Sequence, residues 1–108
     1  MTKENLMKAL SECQEACNHC FDACLNEDDV KMMAKCIRTD RDCADICGMV
    51  LSFAQRDSKL LPDLIEICIK SCESCADECE HHDHDHCQAC AKACRACAKA
   101  CQDYIAQK

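Results

Sequence analysis

The sequence predicts an all-α protein, an up-down-up-down antiparallel four-helix bundle, and three observations predict it. Only one glycine and one proline occur in 108 residues, whereas Ala, Lys, Glu, Gln and Leu are plentiful, so the chain reads as long helices with brief breaks. A four-residue cysteine pattern recurs once in each helical segment. The segments are joined by short connections, which place consecutive helices antiparallel.

The first helix is expected at about residues 3–26 and carries Cys13, Cys17, Cys20 and Cys24. Asn26, Glu27 and Asp28 follow as polar groups suited to capping the next helix. The second helix, about 29–55, holds Cys36, Asp40, Cys43 and Cys47, with Asp40 standing where a second thiol would be. Asp57 and Ser58 open a connection, and Pro62 suits the first position of a third helix at about 62–80, which bears Cys68, Cys72, Cys75 and Cys79. A His/Asp run from Glu80 to Asp85 comes next, with Asp85 expected to cap the fourth helix at about 86–106. That helix carries Cys90, Cys94, Cys97 and Cys101, with Cys87 one step ahead.

The pattern C-x-x-x-C-x-x-C-x-x-x-C has a geometric meaning. Steps of four and three residues shift the direction by roughly +40° and −60°, so each set falls within an arc of about 60°. Four such stripes turned inward build a sulfur-lined tube about 16 Å long. Beyond the sulfurs, one end of the tube is expected to gather Leu6, Leu10, Val50, Leu51, Leu61, Leu64, Ile65, Tyr104 and Ile105 into an apolar plug. The other end gathers Met32, Met33, His82, His84 and His86, which are soft or borderline metal ligands, and forms a mouth.

Sixteen cysteines in a short chain usually signal a secreted disulfide scaffold rich in Gly and Pro. That composition is absent, and the start MTKENLMKAL has no signal-like apolar stretch. No apolar run is long enough to span a bilayer, so a single cytosolic domain over residues 1–108 is expected. In a reducing compartment many thiols point to metal or redox chemistry. A formal net charge of −7 argues against nucleic acid or an anionic membrane as partner.

Buried cysteine alone can serve as a small hydrophobe, but Ala, Val or Leu would fill a core without a reactive group. Disulfides within one helix would strain it and close only small loops. Among metals, charge decides. Four zinc–thiolate sites using all sixteen cysteines would bury about −8, which desolvation opposes. Cu(I) at one ion per thiolate gives a neutral cluster, and it accepts two or three bridging sulfurs. The iron–sulfur run with a following proline is missing. Metal ligands are therefore expected at Cys13, Cys17, Cys20, Cys24, Cys36, Cys43, Cys47, Cys68, Cys72, Cys75, Cys79, Cys87, Cys90, Cys94, Cys97 and Cys101, with His84 and His86 at the mouth. Met32 and Met33 stand ready to pass copper inward or to pack, Asp40 reads as a hydrogen-bonding group, and His19 as a surface residue. Lys92, Arg95 and Lys99 read as a solvated face.

The stretches CNHCFDAC, CIRTDRDCADIC and above all HDHDHCQACAKACRACAKAC resemble the cytosolic bacterial copper storage proteins, from about Cys13 to Cys101. The resemblance implies a Cu(I)-filled four-helix bundle that assembles as a homotetramer and buffers cytosolic copper, and no catalytic role is expected because the chain has no Gly-rich phosphate loop and no nucleophile beside a placed base. Richer members carry further cysteines where this chain has Leu6 and Leu10, which implies a lower capacity, on the order of 16 ions per chain. Two other classes remain open on the residues alone: a redox or iron–sulfur electron carrier, and a general zinc or cadmium thiolate sink.

Overall fold

The computed structural model describes residues 2–107. Its helices are α1 (Thr2–Leu25), α2 (Ala34–Gln55), α3 (Leu61–Glu80) and α4 (Asp85–Ala106), with a 3-10 turn at Val30–Met33 before α2. They form a rod of 45 × 18 × 18 Å. Each helix packs against its neighbours in the chain and α4 closes the ring against α1, while α1/α3 and α2/α4 stand on the diagonals. This is the expected antiparallel bundle.

The interior is sulfur. All sixteen cysteines are fully buried, and each is a free thiol. Leu6, Leu10, Val50, Leu61, Ile65 and Tyr104 close one end as a buried apolar plug. Four residues expected beside them or at the mouth do not join the core fully. Ile105 is 37% exposed and Met32 is 73% exposed, while Leu51 and Leu64 are half-buried against its flank. The cause is the helical step: adjacent residues point about 100° apart in an α-helix and about 120° apart in the 3-10 turn that holds Met32 and Met33, so only one of each pair Tyr104/Ile105, Met33/Met32, Val50/Leu51 and Ile65/Leu64 can face the axis.

The connections also depart from expectation. Asn26 turns back to the α1 end, its side-chain N–H donating to the Asp22 carbonyl at 3.1 Å. The 3-10 turn begins after Asp29, which makes no side-chain cap, and its tighter winding carries Met33 into the core. Asp85 does not cap α4. His84 occupies that position in extended backbone, and its carbonyl accepts the first helical bonds from Cys87 and Gln88. Asp85 is the first helical residue, where its charge still suits the positive helix end. After α2, Asp57 takes a left-handed conformation (φ 51°), and the bonds from Asp57 N–H to Ala54 and from Ser58 N–H to Phe53 close a Schellman motif.

Among the described residues no helix is long and apolar enough to cross a membrane. Outside the core, Arg95 braces α4 to α3 through Asp77 at 2.6 Å and Glu80 at 2.9 Å. The cluster is exposed, so it contributes little to stability.

Gly48 lies inside α2 and faces the amide end of Gln14 on α1. A methyl group there displaces only that flexible tip, while the helix gains intrinsic propensity. Gly48→Ala should therefore raise the stability of the reduced, metal-free chain by about 0.5–1 kcal/mol, read as a higher urea midpoint with an unchanged slope.

Candidate metal centre

The 4-3-4 spacing sets every cysteine on the axial face of its helix, and the four stripes interlock. Within a helix the i, i+4 sulfurs lie close, as in Cys13–Cys17 at 3.9 Å and Cys75–Cys79 at 3.9 Å. Between helices they lie equally close: Cys13–Cys94 at 3.7 Å, Cys43–Cys72 at 3.7 Å and Cys36–Cys79 at 3.4 Å. The interior is thus one continuous sulfur array.

Sets of four ligand atoms, each within 4.8 Å of one another, run up the tube from plug to mouth. They include Cys13/Cys47/Cys72/Cys97, then Cys13/Cys17/Cys43/Cys94, then Cys17/Cys75/Cys90/Cys94, then Cys20/Asp40/Cys79/Cys90, and at the mouth Cys20/Cys24/His86/Cys87. Consecutive sets share members: Cys13, then Cys17 and Cys94, then Cys90, then Cys20. A shared sulfur must bridge two ions, which thiolates do readily for soft monovalent metals. Discrete tetrahedral zinc sites call instead for four ligands of their own. Cys68 and Cys101 extend the array toward the plug, with Cys68 4.0 Å from Cys47.

Among the described residues Asp40 is the one carboxyl group fully buried in this interior. Its Oδ1 accepts from the thiols of Cys75 (3.3 Å), Cys79 (3.4 Å) and Cys90 (3.4 Å), and Oδ2 accepts from Cys36 at 3.7 Å. Desolvation, with the nearby Cys90 adding to it, pushes its carboxyl far above the ordinary range, so it is a neutral acid in the metal-free chain. Asp40 thus hydrogen-bonds with four thiols in the metal-free chain, and it also stands in one of the four-ligand sets.

The thiols respond to the same confinement. Cys17, Cys47, Cys72 and Cys94 are each raised, first by hydrogen bonding with Cys13 and further by burial. Near the mouth, burial raises Cys24 and Cys87, and the charge of Cys20 raises them further. Cys20 goes the other way. The Cys36 and Cys79 thiols hold it down at about 5, and His86 adds to the effect. Cys13, Cys43, Cys68, Cys75, Cys90 and Cys97 are lowered as well, each by hydrogen bonding with neighbouring thiols, so raised and lowered groups alternate along the whole array.

His86 reaches into that end. Its Nδ1 lies 3.5 Å from Cys20, 3.5 Å from Cys87 and 3.9 Å from Cys24. Desolvation works against its charged form, but hydrogen bonds with Cys20 and Glu27 outweigh it and the ring is raised above ordinary histidine. His84 lies one layer further out, against Glu27 and Asp29. His82 pairs with Glu78 at 2.8 Å, and His19 is exposed as expected.

A continuous cysteine-lined tube of this kind has relatives. The sequence model of the copper storage protein family, Csp, matches residues 1–106. The chain belongs to the copper storage protein family. The uncharacterized cysteine-rich protein YhjQ of Bacillus subtilis is 48% identical over 90 residues, 83% of each chain. The Cu(I)-bound copper storage protein BsCsp3 of Bacillus subtilis is similar at 46% identity, covering 95% of this chain and 97% of that one, with a TM-score of 0.91. A cytosolic copper storage protein of Streptomyces lividans carrying five coppers is 38% identical, covering 97% and 92%, with a TM-score of 0.94. The bundle and the recognised family thus agree with the reading from residues.

One residue at the mouth goes unmarked in the sequence pattern. Glu27 stands in a run suited to capping, yet its carboxylate meets His86 Nε2 at 2.8 Å. Only the fold brings these two connections together, and no spacing within the chain signals it.

Because the folded Asp40 holds a proton that the unfolded chain releases, its contribution favours folding below the ordinary carboxylate value of 3.8 and weakens as pH rises above it. Asp40→Asn removes that penalty. In reducing urea titrations of metal-free protein at pH 7, the variant should be more stable by a few kcal/mol, about 1.4 for each pH step above the ordinary carboxylate value. The gap should close as pH is lowered toward 4.

Proposed function

We propose that the chain stores Cu(I) in the cytosol, on thiolates inside the bundle, and acts by sequestration in place of catalysis. The observation that carries this reading is the run of overlapping ligand sets, each linked to the next by shared sulfurs. Such sharing suits a neutral thiolate cluster of monovalent ions at about one copper per sulfur. Its charge matches the environment, since filling a fully buried tube with excess thiolate would be opposed by desolvation.

The ligands in this reading are the sixteen cysteines, with His86 as nitrogen donor in the outermost set beside Cys20, Cys24 and Cys87. His84 stands just outside as the first nitrogen an arriving ion meets. A cuprous ion arriving at the mouth meets Cys20, Cys24 and Cys87, and it displaces protons from these and neighbouring thiols as further ions follow. Filling proceeds inward because the plug of Leu6, Leu10, Val50 and Ile65 closes the far end. The resemblance to the cytosolic copper storage proteins supports a cytosolic setting, a single-domain chain and a homotetramer. Exposed Met49, Leu60 and Ile67 offer apolar surface for such an assembly.

The deciding experiment is an anaerobic titration of reduced protein with Cu(I) against a chromogenic cuprous chelator. Uptake should saturate near one ion per thiol, on the order of 16 per chain, with zinc unable to displace the bound copper. Saturation after one or two ions, or preference for zinc, contradicts the reading. Each ion releases thiol protons, so lowering the pH should shift copper from protein to chelator; affinity that stays level with pH would count against thiolate ligation.

A further inference from the structure

The outer surfaces of the bundle differ in how they are tied. Arg95 of α4 holds Asp77 and Glu80 of α3, Thr2 of α1 meets Gln107 just past α4, and Arg41 of α2 lies 5.7 Å over the Phe21 ring of α1. Between α2 and α3 the side-chain hydrogen bonds are made inside, by sulfur and Asp40. Among the described residues no ion pair joins these two helices on the outside. A groove of about 640 Å³ runs there instead, over the small side chains of Thr39 and Ser74.

Each helix lines this flank with one stripe at helical spacing. From α2 come Lys35, Arg38, Thr39, Asp42 and Ile46, and from α3 come Ile67, Lys70, Ser74, Asp77 and His81. The sulfur pairs Cys36–Cys79, Cys43–Cys72 and Cys47–Cys68 fix the register, so Arg38 stands level with Asp77, and Asp42 stands within one turn of Lys70. From mouth to plug α2 therefore reads basic, acidic, apolar, while α3 reads acidic, basic, apolar. Ile67 is 49% exposed and Met49 39% exposed at the apolar end. Glu73 and Glu78 on the same flank are engaged by Gln102 at 3.5 Å and His82 at 2.8 Å. Asp77 gives only Oδ1 to Arg95, which leaves Oδ2 to spare.

We infer that this flank is an interface with a second copy of the chain, related by a two-fold axis parallel to the bundle. Such an axis lays α2 of each copy on α3 of the other at the same height. Arg38 then meets Asp77 of the second copy and Asp42 meets its Lys70, each pair occurring twice, with Ile46 and Ile67 packed beside them. A two-fold across the bundle lays each helix on its own counterpart and loses this match. The long side of the rod, 45 × 18 Å, offers roughly the 800 Å² that one partner of a standard interface buries. Both mouths open at the same end of such a pair. The contact rests on outer side chains alone and is independent of the storage reading.

The test uses the full chain, reduced and metal-free, in analytical ultracentrifugation at low salt, where charge pairs are least screened. The parent should associate into pairs or multiples of pairs. Asp42→Lys and Lys70→Glu should each weaken this by more than about tenfold, because like charges then meet twice, and Ile67→Ser should weaken it without any change of charge. Lys92→Glu, on the outer surface of α4, should associate as the parent does. Equimolar Asp42→Lys and Lys70→Glu should recover the parent's affinity as a mixed pair, seen by its mass in native mass spectrometry, since each variant supplies the charge the other lacks. That recovery also shows both variants folded. A monomeric parent, association that none of the three flank variants weakens, or a mixture that stays weak overturns the interface. No readout involves copper, so failure here leaves the storage reading untouched.

Discussion

The structure depends on one property of the thiol: protonated, it packs as a small hydrophobe, and deprotonated, it binds a soft cation. Sixteen of them on the bundle axis therefore make a core that holds together before any metal arrives. A core of aspartates or histidines at the same positions could not, because buried charge or unpaired polar atoms would oppose folding. The helices rest on their own packing and on the plug at Leu6, Leu10, Val50 and Ile65. This packing predicts that the chain folds without metal, in contrast to small zinc domains whose folding free energy is the metal's.

Polarity along the tube follows from what flanks the sulfurs. One end is closed by aliphatic side chains, and the other carries a histidine facing inward at His86 and carboxylates beyond it. In the storage reading, ions enter and leave by that open end. The ligands also grade from soft to hard across the mouth, from Cys87 through the two-faced ring of His86 to Glu27.

Much of this is legible in the chain because a helix converts spacing directly into direction. The 4-3-4 cysteine pattern points every sulfur at the axis, and each is buried there. Leu10 and Ile65 are legible for the same reason. Ile105, Met32, Leu51 and Leu64 are not, because each stands beside a second apolar residue and the pattern does not say which of the two faces inward. Asp85 has the residue type of a cap, but the extended backbone at His84 sets the helix start. Glu27 is illegible altogether. Its meeting with His86, 59 positions away, depends on how two connections lie across the bundle end, which periodicity within helices does not encode.

If sulfurs from all four helices form one shared, shielded array for cuprous ions, X-ray absorption at the copper edge of the fully loaded, reduced protein tests it most directly. The expected result is a Cu(I) edge, a first shell dominated by sulfur, and a second shell of neighbouring copper atoms from bridging thiolates. A first shell of nitrogen and oxygen, or sulfur-bound copper with no copper neighbours, would contradict it.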